Sequence, residues 1–129
     1  LATEGGRASL RYGFDVLDLD RIIALVMPEN VASRRVMAKL GMLEASTTRD
    51  PLRDVPLEVH EITHVAWAVK SALEWFEVNS GWAPPDDDEL AEWLADGVCR
   101  SPDDCLVSPE GWCAHGLASW WLILRALDD

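Results

Sequence analysis

The sequence predicts a mixed α/β first half followed by a small, mostly helical module rich in cysteine and tryptophan. Three observations carry this. The apolar run Ile22 to Met27 ends at Pro28 and gives way to helical periodicity, as a covered strand followed by a helix would. A second, alternating stretch follows at Leu57 to Val65. Composition then changes: residues 1–68 hold 8 basic and 10 acidic side chains, residues 69–129 hold 3 and 13, and six of the seven tryptophans lie beyond residue 70. The expected layout is a sheet-bearing region at 1–68, a helix and linker at 69–85, and a small helical module at 86–129.

With 129 residues the chain has room for one ordinary domain or two very small ones. A net charge of −12 argues against nucleic acid as a main partner. No apolar run is long enough to cross a bilayer, and the start lacks a basic region followed by an apolar core, so no membrane partner and a cytoplasmic setting are expected. Leu1 reads as entering a helix directly, and the chain is expected to be a piece of a longer protein.

Leu1 to Leu17 reads as a helix, with Thr3 as N-cap or first-turn hydroxyl and Glu4 at the positive end of the dipole. Asp18 to Arg21 is a polar turn into the strand Ile22 to Met27. Asn30 is placed to cap the next helix, Val36, Met37 and Leu40 recur on one face of it, and Gly41 suits a left-handed C-cap. Leu43 to Thr48 and Leu57 to Val65 read as strands around a loop with two prolines, with His60 and His64 expected on an outer face. Val69 to Val78 is a helix with Val69, Ala72, Leu73 and Phe76 on one stripe; Asn79-Ser80-Gly81 ends it, and Trp82 to Pro85 is a stiff linker. Asp86 to Glu89 opens a helix that Gly97 stops, two proline-containing turns follow, and Leu117 to Leu127 closes the chain as a helix.

The order Asn30-x-x-Ser33, then Arg35-Val36-Met37-x-Lys39-Leu40-Gly41-Met42, resembles the C-terminal half of GNAT-superfamily N-acetyltransferases, and within them the branch of the ribosomal-protein N-terminal acetyltransferases. The likeness covers about residues 1 to 67. It implies an α+β chain carrying part of the GNAT sheet, with the N-terminal half missing. It implies acetyl-CoA as co-substrate, Asn30 against the pantetheine arm, and Ser33 as the group that protonates the departing thiolate. Ala2 would end the phosphate-binding loop, and Thr3 would donate to the pyrophosphate or only cap its helix. Arg34 and Arg35 can pair with coenzyme phosphates or stand as solvated helix charges. The pattern alone favours the plainer reading, Asn30 only a cap and Ser33 only a surface or capping residue; the resemblance favours the cofactor role. The acceptor would be a primary amine, on a protein N-terminus or a small molecule. As a fragment the chain is expected to be inactive.

Cys99, Cys105, Cys113 and His115 form a second constellation, spaced Cys-x5-Cys-x7-Cys-x-His. Three thiolates and an imidazole make a closed set of the kind structural zinc prefers, and the proline turns would fold them together. The alternatives are reduced buried cysteines, or a disulfide between two of them that leaves the third free. The region also resembles Cys/His- and Trp-rich tails of some actinobacterial proteins, a likeness that implies no mechanism. The leading expectation is thus an acetyl-CoA-dependent N-acetyltransferase. The rival is a zinc-stabilised, non-catalytic module using Trp75, Trp82, Trp93 and its acidic face to bind a basic protein partner.

Overall fold

In a computed structural model the described residues are 2–79 and 84–128. They divide into two compact units, Leu1–His64 and Val65–Asp129. The first is mixed α/β with an antiparallel sheet. Helix α1 (Ala2–Arg11) passes into a π turn at Tyr12–Val16, closed by Leu17 N–H donating to Tyr12 O at 3.1 Å. That wider turn seats Phe14 at 1% exposure, its ring 5.0 Å from that of His64. Asp18, at φ 53°, turns the chain into β1 (Arg21–Val26). Then come α2 (Val31–Lys39), β2 (Leu43–Arg49) and β3 (Pro56–Thr63). The sheet order is β1-β3-β2, antiparallel throughout, with Leu25 opposite Val59 and Thr47 opposite Glu58. A register shift between Glu44 and Ser46 bulges β2.

Two expectations need correcting. The run Ile22 to Met27 predicts a strand covered on both faces, yet Ile23 and Leu25 are 47% and 53% exposed. Along β1 the less exposed residues are Ile22, Ala24 and Val26, alternating with Ile23 and Leu25, so the alternation of an antiparallel sheet wins over the continuous apolar run. The outward placement of His60 and His64 also fails: they are 7% and 4% exposed. His60 shares the inward face of β3 with Glu58 and Ile62, and the polar pair satisfies itself there.

Helix α3 (His64–Val78) follows β3 directly and starts earlier than periodicity predicts. Its Ala68, Val69 and Ala72 are buried in the core of the second unit with Cys99, Val107, Leu117, Trp120 and Ile123. Helix α4 (Asp87–Ala95) is capped by Asp86, whose carboxylate accepts from Glu89 N–H at 2.8 Å. A short hairpin, β4 (Cys99–Arg100) with β5 (Leu106–Val107), and helix α5 (Trp120–Asp128) complete it. Trp75 and Trp93 pack partly buried against this core instead of standing free. Trp82, Ser80, Gly81 and Ala83 lie outside the described residues, as do Leu1 and Asp129.

Candidate functional site

The first unit holds a groove of about 420 Å³ between α1, β1 and α2. Its walls are mainly apolar, from Leu10, Ile22, Val36, Met37, Leu40 and Met42, with the hydroxyls of Ser9 and Ser33 as polar points. The helices approach closely because Gly6 lacks a side chain: a Cβ there would lie 2.6 Å from Leu40 Cδ1. Ala2 brings the first turn of α1, with its free amides, to the rim.

The start of α2 is built as its sequence predicts. Asn30 Oδ1 accepts from Ser33 N–H at 3.1 Å, and Gly41 takes φ 86° past the C-terminus. This cap fixes Ser33 in the first turn and leaves its side chain on the groove wall. Asn30 itself works as the cap and is not among the groove's lining residues. Thr3 lies inside the first turn of α1, which already begins at Ala2. Arg34 points elsewhere: its Nε donates to Glu58 Oε1 at 3.0 Å, tying α2 to β3. Arg35 is exposed on α2. Glu58 also meets His60 Nε2 at 3.0 Å. The His60 hydrogen bond, opposed by burial and helped by the Arg34 charge, holds the Glu58 carboxyl below the usual glutamate range. Sequence reasoning missed this triad; an acid and a histidine at i and i+2 of a strand, sharing one face, were the available signal.

In the second unit two tight turns meet. The first runs from Ser101 to Cys105, closed by Ser101 N–H to Cys105 O at 3.0 Å, with Asp104 at φ 65°. The second runs from Cys113 to Leu117, closed by Cys113 N–H to Leu117 O at 2.9 Å, with Gly116 at φ 81°. Each presents two side chains two residues apart: Asp103 and Cys105, then Cys113 and His115. Their ligand atoms all lie within 4.8 Å of one another. Of the four predicted ligands, the structure brings together Cys105, Cys113 and His115. Cys99 is not in that group; it is fully buried in β4, inside the core. Asp103 stands in the fourth place, unpredicted, although its Asp-x-Cys spacing mirrors Cys-x-His. Burial works against the Asp103 carboxylate, but hydrogen bonds from Ser101, Cys105, Cys113 and His115 outweigh it and hold its pKa below the ordinary value. Burial, then Asp103, push the Cys105 thiol up.

The groove's sequence has relatives. Residues 1–43 match the family model described as acetyltransferase (GNAT) domain. Over 41 residues the chain is 54% identical to the uncharacterized N-acetyltransferase YnaD of Bacillus subtilis, covering 32% of this chain and 24% of that protein. It is 31% identical over 94 residues to the FsC-acetyl coenzyme A-N(2)-transacetylase of Aspergillus fumigatus, covering 64% of this chain and 40% of that one. A GNAT-family acetyltransferase structure from Bacillus anthracis aligns at 35% identity and a TM-score of 0.44, over 48% of this chain and 40% of its own. A GCN5-related N-acetyltransferase structure from Brucella melitensis aligns at 24% identity and a TM-score of 0.48, over 68% and 41%. The first third of the chain is thus similar to GNAT acetyltransferases, and the chain spans about a quarter and two fifths of its two curated relatives. Among the described residues no helix is long and apolar enough to cross a membrane.

Proposed function

We propose that the first unit is the coenzyme-binding part of a GNAT-type N-acetyltransferase, which moves an acetyl group from acetyl-CoA to a primary amine. One observation carries this reading. Every residue lining the groove falls between Ala2 and Met42, inside the stretch that matches the acetyltransferase family. The groove also suits the ligand. A pantetheine arm is long, narrow and mostly apolar, with amides that need a few polar partners, and these walls are apolar with two hydroxyls. The free amides at the start of α1 suit phosphate.

Acetyl-CoA supplies an activated acyl group and a thiolate leaving group. Ser33 is held by the Asn30 cap with its hydroxyl on the groove wall, where it can give a proton to a departing sulfur. Asn30 therefore acts by positioning Ser33, and Arg34 by anchoring α2 to β3 through Glu58. Arg35, exposed on the same helix, is the side chain available to a coenzyme phosphate. The acceptor is an amine on a protein N-terminus, as for the ribosomal-protein branch, or on a small molecule. The chain spans under half the length of its curated relatives, so the reading assigned to this stretch is coenzyme binding, and turnover is proposed for the whole protein.

The test is acetyl-CoA binding by this chain, and thiol release from acetyl-CoA in the presence of primary amines by the whole protein to which turnover is assigned. Ser33→Ala should lower kcat by at least about 10²-fold, the usual contribution of a positioned proton donor, with KM for acetyl-CoA little changed. An unchanged kcat would remove Ser33 from the chemistry, and failure to bind acetyl-CoA would remove the enzyme reading.

A further inference from the structure

We infer that Asp103, Cys105, Cys113 and His115 form a closed tetrahedral zinc site that holds the second unit together, and that Cys99 is no part of it. The donor set is two thiols, an imidazole and a carboxylate, the chemistry that selects zinc among the common divalent ions. The separations fit. Zinc bound by sulfur at about 2.3 Å and by nitrogen or oxygen at about 2.0–2.2 Å, at tetrahedral angles, puts each sulfur about 3.5–3.7 Å from the nitrogen or oxygen ligands. Cys105 Sγ lies 3.5 Å from Asp103 Oδ2 and 3.6 Å from His115 Nδ1. Cys113 Sγ lies 3.6 Å from Asp103 Oδ2 and 3.7 Å from His115 Nδ1. Four of the six edges of the tetrahedron are therefore in place. A fifth, Asp103 Oδ2 to His115 Nδ1, is a direct contact of 2.7 Å, which a bound ion would open by roughly 0.6 Å.

The surroundings are those of a structural centre. Both turns are fixed by backbone hydrogen bonds before any ion is considered. Cys113 is buried, Asp103 is largely covered, and Ser101 donates to its Oδ1, leaving Oδ2 toward the group. Four protein ligands leave no open position, so the ion would not be a Lewis acid for substrate. A unit of this size is marginal even with such a core, and the ion would add folding free energy by joining two turns separated in sequence.

The experiment uses the whole chain, expressed with zinc supplied. About one zinc per chain is expected for the native protein and for Cys99→Ala, and loss of most of it for Asp103→Ala, Cys105→Ser and Cys113→Ser. Because a variant can fail to fold, cobalt is also exchanged into the native protein. A tetrahedral visible spectrum with thiolate charge-transfer bands supports the site. A folded native protein without zinc, a Cys105–Cys113 disulfide in protein purified under reducing conditions, or a cobalt adduct lacking thiolate bands overturns it. Zinc retained in Asp103→Ala and lost in Cys99→Ala overturns the ligand set.

Discussion

Adjacent glycines in α1 test the packing that makes the groove. Alanine at position 5 meets nothing within 4 Å. It should stabilise the helix by about 1 kcal/mol, the propensity difference between alanine and glycine. Alanine at position 6 gains the same propensity but places its methyl 2.6 Å from Leu40 Cδ1. Carbon atoms rest at about 3.5–4.0 Å, so Leu40 must retreat by roughly 1 Å. Leu40 is only 5% exposed. Its δ-methyl can rotate, so the overpacking cost sits toward the low end of the usual range, about 1–2 kcal/mol. Gly6→Ala should therefore gain nothing or lose slightly, while Gly5→Ala gains. The first unit carries no tryptophan in its sequence to report on this directly. Amide hydrogen exchange can: α1 amides should be about 5- to 30-fold better protected in Gly5→Ala than in Gly6→Ala, the factor that about 1–2 kcal/mol gives. Gly6 and Leu40 also line the groove and Gly5 does not, so only Gly6→Ala should weaken acetyl-CoA binding. Equal protection and equal binding in the two variants would refute the described contact between α1 and α2.

Asn30→Ala should cost about 1 kcal/mol and speed exchange of the Ser33 amide first, since that amide loses its acceptor; an unchanged Ser33 exchange rate would deny the cap. Glu58 should make the first unit acid-sensitive. Its folded pKa is depressed, so its contribution is present above the ordinary value of about 4.5 and is lost as the pH falls below it. Circular dichroism across that window should show a steeper loss for the native chain than for Glu58→Gln, and parallel curves would contradict the Arg34–Glu58–His60 arrangement.

The local grammar of the first unit was readable from the residues. Asn30 and Gly41 mark the ends of α2 because their chemistry is local: a side-chain acceptor three residues from a free amide, and a backbone free to adopt positive φ. What was not readable depended on partners distant in sequence. The continuous apolar run of β1 does not reveal that, among the described residues, it ends the sheet with Ile23 and Leu25 exposed. His60 looks like a surface residue until Arg34, far back in the chain, brings a cation to Glu58. In the second unit, counting cysteines led to Cys99, whereas the hairpin pairing Cys99 with Val107 sends it into the core and turns Asp103 toward Cys113. Spacing along the chain names donors, but the turns decide which of them converge.

Binding of acetyl-CoA in the groove of the first unit is tested most directly by titrating the isotopically labelled chain and following backbone amide shifts. Even an affinity on the order of 1 mM is visible this way. The prediction is saturable shifts at Gly6, Ser9, Ser33 and Val36, which line the groove, with the residues around Cys113 unmoved. Saturable shifts confined to other residues, or none up to that concentration, would contradict it.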